Sequence, residues 1–121
     1  MTNKQVKRGE LWIADLNNNT SGSEQGGIRP VLIIQNDLGN YYSPTTIVAP
    51  LTTRLTKSKI PTHVEVNEWE QAGLSAKSIV LMEQIRTIDK SRLQIKIGEV
   101  DEMTLTKVNL SLIVSLALQV A

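Results

Sequence analysis

Apolar and polar positions alternate with a period of two along most of this chain and change to helical spacing only near its end. From residue 9 to 16, Leu11, Ile13 and Asp15 take one face of a strand, and Trp12, Ala14 and Leu16 take the other. Both faces carry apolar residues, which predicts burial on more than one side. The run Val31-Leu32-Ile33-Ile34 predicts a second strand over residues 28–35. Residues 45–51, rich in β-branched side chains, predict a third, with Pro50 marking a bulge or an edge. Residues 62–66 alternate clearly, residues 78–86 read as the next strand, and residues 93–100 alternate again with Leu93, Ile95 and Ile97 on one face.

The intervening segments carry turn chemistry. Residues 17–27 hold three asparagines, two serines and three glycines, a composition that favours mobility and is long for a hairpin connection. Residues 36–43 read as a turn with Gly39 and Asn40 at its tip, and residues 67–77, punctuated by Gly73 and anchored by Trp69, as a turn or a single helical turn. Asp89 is placed to cap a short helical turn, since basic residues follow it. Asp101 is placed to cap a helix in which Leu105, Val108, Leu112, Ile113, Leu116 and Val120 recur at helical spacing. Val114, Ala117 and Leu118 widen its apolar surface beyond one stripe, which predicts contact with a partner subunit as well as the core. Many short strands and one C-terminal helix predict a mainly β fold, a small antiparallel barrel or a strongly curved sheet closed by that helix. No internal repeat or boundary divides the chain, so residues 1–121 are expected to form a single domain.

Composition narrows the function classes. The absence of cysteine excludes thiol nucleophiles and a disulfide framework and fits a reducing cytoplasm. No apolar region follows Met1, so no secretory signal is expected, and residues 110–121 are too short and too interrupted by Ser111, Ser115 and Gln119 for a membrane span. Thirteen basic residues against twelve acidic ones leave a net charge of +1, which argues against a global electrostatic grip on nucleic acid. Any such site must be local. Residues 52–63 hold Arg54, Lys57 and Lys59 with no acid, either a local basic site or an ordinary solvated loop.

The segment over residues 22–37 changes stiffness abruptly. Gly26 and Gly27 end a polar loop and permit backbone angles closed to other residues, while Arg29-Pro30 opens the buried run. Pro30 lacks an amide hydrogen, so it suits the first residue of a strand or an edge and biases Arg29 toward extended geometry. A guanidinium fixed there can grip a phosphate through two parallel hydrogen bonds; the plainer reading is a glycine hairpin with a solvated arginine.

The stretch Ser-Glu-Gln-Gly-Gly-Ile-Arg-Pro-Val-Leu-Ile-Ile-Gln-Asn-Asp (residues 23–37) resembles the signature of the MazF/PemK family of bacterial toxins. Lys-Arg-Gly-Glu-Leu-Trp (7–12), Ser-Pro-Thr-Thr-Ile-Val-Ala-Pro-Leu-Thr (43–52), Ile-Pro-Thr-His-Val-Glu-Val (60–66) and Leu-Met-Glu-Gln-Ile-Arg-Thr-Ile-Asp-Lys (81–90) match it in order. The likeness spans roughly residues 7 to 118, so the whole chain carries it. It implies an SH3-like antiparallel barrel of the MazF/Kid/CcdB kind and a cytoplasmic homodimer. The implied activity is sequence-specific cleavage of single-stranded mRNA without a metal or other cofactor. A cognate MazE-like antitoxin would silence it with a disordered acidic tail. The wider superfamily offers an alternative, a non-enzymatic toxin that binds a topoisomerase.

Residue chemistry agrees with that implication as far as it reaches. One histidine and no cysteine give metal chemistry poor support and exclude two-histidine ribonuclease chemistry. A serine hydrolase triad would need His63 and lacks a nucleophile elbow, and no Walker-type phosphate loop is present. By the resemblance, Arg29 and Thr52 stand where the family has its catalytic arginine and threonine. Arg29 would stabilise charge on the phosphate and serve as a proton source for the leaving 5′-oxygen, and Thr52 would donate its hydroxyl to the same phosphate. An arginine side chain keeps its proton at neutral pH and makes a poor base, so the base that takes the 2′-hydroxyl proton is unassigned. Glu24 is one candidate for it, although its place in the loop suits base reading better. Substrate contacts are expected from Glu24, Gln25, Gly27 and Pro30 on one wall and from Gln84 and Arg86 on the other. Against Arg86 as an RNA contact stands an internal ion pair with Glu83. His63 reads as a loop hydrogen-bonding residue, Trp12 and Trp69 as core or interface, and one of Tyr41 and Tyr42 as exposed.

Overall fold

The computed structural model describes residues 5–17, 22, 26–54 and 60–119. Among them run β1 (Glu10–Asp15), β2 (Ile28–Ile33), α1 (Asp37–Tyr42), β3 (Thr45–Thr52), β4 (His63–Val66), β5 (Ser78–Leu81), β6 (Arg86–Asp89), β7 (Leu93–Glu99) and α2 (Glu102–Ser115). The strands pair antiparallel in the order β4-β5-β3-β2-β1-β7, with β6 also on β3. β2 lies along one edge of β3, whereas β6 and β5 share the other, β6 against residues 45–48 and β5 against Leu51 and Thr52. The sheet is not closed by a ladder between β6 and β7, yet a one-turn 3₁₀ helix, Lys90–Arg92, carries the chain straight from one to the other. A curved, barrel-like antiparallel sheet with a C-terminal helix results, as the alternation predicted.

Alternation sends residues to two apolar clusters. Leu11, Leu32, Ala49, Leu51, Val64 and Val80 join Val108 of α2 in the larger one, with Leu105 and Leu112 packed against it. Trp12, Ala14, Leu16, Val31, Ile33, Val48, Ile88 and Leu93 form the second, on the opposite face of the sheet. Both faces of β1 are therefore buried, and Trp12 and Trp69 serve the core, Trp69 as a partly buried anchor. Asp101 caps α2 by accepting from the Thr104 amide at 2.8 Å. No helix among the described residues is long and apolar enough to cross a membrane.

Three sequence expectations are corrected. Residues 78–86 are not one strand: a 3₁₀ turn, Met82–Gln84, separates β5 from β6. β3 exchanges partners there, and Pro50, which has no amide hydrogen to give, falls in the gap between the two ladders. Pro30 is likewise inside β2, paired with Ile13, just before the ladder to β3 begins at Val31. In β7, register shifts against β1 break the alternation, so Leu93 enters the second cluster, Ile97 packs on the first and Ile95 is exposed.

Residues 36–43 form a helix where a turn was expected. Asn36 caps it by accepting from the Gly39 amide at 2.7 Å. Asn40, buried beneath it, accepts from Gln35 Nε2 (3.1 Å) and Thr46 Oγ1 (2.7 Å) and donates to Gln35 O (2.9 Å). The buried Lys90 ammonium donates to the Asn40 carbonyl. Replacing Asn40 with alanine strands the Gln35 and Thr46 groups, while the bond from Lys90 to the backbone carbonyl stays, and a loss of about 2–4 kcal/mol in urea denaturation is expected, since several bonds of one network are lost together. Both Tyr41 and Tyr42 are exposed, stacked edge to face.

A second polar hub ties β1 to β7. The Glu10 carboxylate accepts from the Lys7 amide (2.9 Å) and Trp12 Nε1 (3.0 Å) and pairs with Lys96 at 3.0 Å. Burial pushes its pKa up, but the bonds from Trp12, Lys7 and Lys96 outweigh burial and hold it below the usual carboxylate range. A depressed folded-state pKa contributes stability above the ordinary carboxylate pKa, and this is lost as pH falls through the folded value. Urea midpoints measured from roughly pH 6 to pH 3 are expected to fall less steeply for Glu10→Gln than for the native protein.

Candidate functional site

β2 and β3 pair as Val31 with Pro50, Leu32 with Ala49 and Ile33 with Val48. Carrying this register toward the start of β2 sets Arg29 across from Thr52. Arg29 shares its face of β2 with Val31 and Ile33, and Thr52 its face of β3 with Val48, so both side chains rise from the side of the second cluster. They lie where that cluster ends, and both are half-buried.

The loop before β2 fixes the guanidinium. Arg29 Nε donates to Gly26 O at 2.7 Å, and Nη1 donates to Leu51 O at 3.2 Å. Gly27, at φ +80°, makes the turn that presents the Gly26 carbonyl, and its own carbonyl accepts from the Leu16 amide at 2.8 Å. Among the described residues Arg29 Nη2 has no partner. Thr52 Oγ1 accepts from the Arg54 amide at 3.1 Å, which occupies a lone pair and leaves the hydroxyl proton free to be donated. Two oriented donors on one face, one of them cationic, suit a tetrahedral anion. Neither can accept a proton.

The opposite wall comes from the other edge of β3. Arg86 pairs with Val48 and shares its face of β6 with Ile88, on the side that carries Arg29 and Thr52. Arg86 is half-buried and has no ion pair among the described residues, so the internal pair with Glu83 is not formed. Glu83 instead bonds His63, Nε2 to Oε2 at 2.9 Å. His63 opens β4, not a loop, opposite Leu81 of β5, with Glu83 two residues farther along. His63 and Glu65 point away from Val64 and Val66, and Ile79 and Leu81 away from Val80, which puts His63 on the Thr52 side of the sheet. Sequence reasoning missed this pair; only the β4–β5 register reveals it.

Gln84 is half-buried in the turn between β5 and β6, and Gly27 and Pro30 flank Arg29 as expected. Glu24, Gln25, Lys57 and Lys59 lie outside the described residues. Among the described residues no three His, Cys, Asp or Glu side chains gather where a metal ion could be held.

Comparison with known proteins names the fold family. Residues 7–116 match the family described as PemK-like, MazF-like toxin of type II toxin-antitoxin system. The chain belongs to that family. It is 53% identical over 113 residues to endoribonuclease EndoA of Bacillus subtilis, covering 93% of this chain and 96% of that protein. Endoribonuclease MazF of Staphylococcus saprophyticus is 51% identical over 113 residues, covering 93% of this chain and 92% of its own. A solved mycobacterial endoribonuclease in complex with its cognate antitoxin superposes with a TM-score of 0.78 at 28% identity, over 96% of this chain and 99% of that one. The family's barrel-like sheet is the fold described above, and the segment that carries Arg29 and Thr52 falls within the matched residues.

Proposed function

We propose that this protein is a sequence-specific, metal-independent endoribonuclease, the toxin of a toxin–antitoxin pair, acting on single-stranded mRNA in the cytoplasm as a homodimer. The observation that carries the reading is that Arg29 bonds the Leu51 carbonyl, next to Thr52, on the face to which the β2–β3 register assigns both side chains, in a chain so similar to two named endoribonucleases.

The chemistry is an internal displacement. A ribose 2′-oxygen bonds to the adjacent phosphorus, its proton passes to a base, the bond to the 5′-oxygen breaks, and that oxygen leaves with a proton. The products carry a 2′,3′-cyclic phosphate and a 5′-hydroxyl. Charge builds on the nonbridging oxygens, where a preset guanidinium and a hydroxyl donor act more strongly than on the ground state. Glu24 remains a candidate for the base and, with Gln25, for contacts to bases. Gly27 and Pro30 would let the strand approach the backbone beside Arg29, and Gln84 and Arg86 would hold it from the far wall.

Two apolar surfaces support a homodimer. Met103, Leu110 and Val114 are exposed along α2 with Leu118 just beyond it, and Pro30, Ile13 and Ile95 form a row across β2, β1 and β7 where α2 does not cover the sheet. A cognate antitoxin of the MazE kind, bound through an acidic segment, fits a local cationic site on a nearly neutral chain.

Incubating the purified protein with a long natural RNA in excess chelator, then mapping fragment ends, tests the reading. Discrete fragments with cyclic phosphate ends are expected. Intact RNA would overturn it, and intact RNA together with arrested supercoiling would favour the topoisomerase-binding alternative.

A further inference from the structure

We infer that the His63–Glu83 pair is a base-selecting element of this site, in which His63 holds Glu83 as a fixed acceptor that favours a nucleotide bearing an exocyclic amino group. The inference rests on the endoribonuclease reading above. His63 keeps only 14% of its side-chain surface exposed, whereas Glu83 keeps 37%. The imidazole is the buried support and the carboxylate the part that faces outward.

The contacts fix both partners. The His63 amide donates to Ile60 O (3.0 Å), and the Met82 amide donates to Thr62 O (2.8 Å), which locks β4 to the turn that carries Glu83. Nε2 meets Glu83 Oε2, and Nδ1 is buried with no hydrogen-bond partner among the described residues. A buried donor without a partner is costlier than a buried lone pair, so the favoured tautomer carries its proton on Nε2 and donates it to Glu83. Glu83 Oε1 has no partner among the described residues. The carboxylate is thus anchored by one oxygen and presents the other.

Its position decides what it can meet. β4 and β3 flank β5, so His63 stands roughly 10 Å from the Thr52 strand, on the same face, which places Glu83 about a nucleotide or two from the phosphate that Arg29 and Thr52 would hold. A carboxylate repels phosphate, so the strand must turn a base, not its backbone, toward this wall. Arg86 beyond it, which has no ion pair among the described residues, offers the compensating anchor for backbone. An ionised carboxylate only accepts hydrogen bonds, which suits the amino groups of adenine, cytosine and guanine. Uracil's one Watson–Crick donor is flanked by two carbonyl oxygens that the carboxylate would repel.

The test maps cleavage ends on a long natural RNA for the native protein, Glu83→Gln, His63→Leu and His63→Gln, with thermal melting to verify folding. The native protein is expected to exclude uracil at one position near the cut. Glu83→Gln, whose amide can donate to a uracil carbonyl, is expected to relax that exclusion about 10- to 100-fold while still cutting. His63→Leu should also relax it, and His63→Gln, which keeps a donor near Nε2, should restore it; a merely structural histidine would change stability and leave the base profile alone. Native cleavage that tolerates uracil at every position, or an unaltered profile in Glu83→Gln, overturns the assignment while leaving the endoribonuclease reading in place. RNA left intact by the native protein overturns both.

Discussion

Arg29→Ala is expected to leave the protein folded and to lower RNA cleavage about a hundredfold or more, the scale seen when one donor to a transition-state anion is removed. The side chain is half-buried at the end of the second cluster and packs no core position, so thermal melting should move by only a few degrees. What is lost is orientation as well as charge. Nε and Nη1 are already committed to the Gly26 and Leu51 carbonyls, which aims the remaining donors before any substrate arrives. Arg29→Lys therefore tests the geometry: an ammonium keeps the charge but cannot bond both carbonyls and a phosphate in one plane, so most of the loss is expected to persist. Thr52→Ser should retain activity and Thr52→Val should not, because only the former keeps a hydroxyl whose lone pair the Arg54 amide occupies. Native rates for Arg29→Ala, read from single-turnover cleavage of one mapped RNA, would remove the guanidinium from the chemistry.

Much of this fold was legible where the requirement is local. Alternation placed Leu11 and Trp12 on opposite faces because the pleat itself does so, and Asp89 and Asp101 marked their helical turns because a capping carboxylate acts within three residues. The readings failed where the deciding partner lies far along the chain. Residues 78–86 keep a strand-like pattern through Met82, and the break there is imposed by β3, which needs one partner beside Leu51 and another beside Val48. Gly39 and Asn40 look like a turn tip, yet Lys90, fifty residues on, completes the network that makes α1.

The site divides along the same line. Arg29-Pro30 after two glycines was visible as a charge at the mouth of a buried strand, and resemblance singled out Thr52. Their opposition follows from the β2–β3 register. His63 and Glu83 lie in two separate matched segments, and their pairing becomes visible only once β4 and β5 are known to be neighbours.

Gly98→Ala is expected to destabilise the protein by more than about 3 kcal/mol, placing it among the most damaging single substitutions this chain can take. A Cβ on Gly98 would stand 1.9 Å from the Ala72 carbonyl oxygen, and one on Gly73 would stand 1.9 Å from the Ile97 carbonyl oxygen. Both obstacles are backbone, so neither can swing aside like a side chain. The approach matters because it presses the turn after β4, with Ala72 and Leu74, onto the larger cluster beside Ile97 and Val100. Separating the chains to admit a methyl group would open that side of the core. Gly73→Ala carries a further cost, since φ there is +92°, a conformation that strains any residue with a Cβ by about 1–3 kcal/mol. The two substitutions act on one contact, so the double variant should lose less than the sum of the singles, the departure from additivity expected of neighbours that share a displaced backbone. Gly9→Ala supplies the contrast: its φ is +93°, but its new Cβ meets only the flexible Leu105 side chain, at 3.2 Å, so the strain remains without the backbone clash. Urea denaturation of the three single variants and the double should rank Gly73→Ala and Gly98→Ala well below Gly9→Ala. Equal midpoints for all three would mean that the turn and β7 can part at little cost, and the close approach would lose its role in sealing the core.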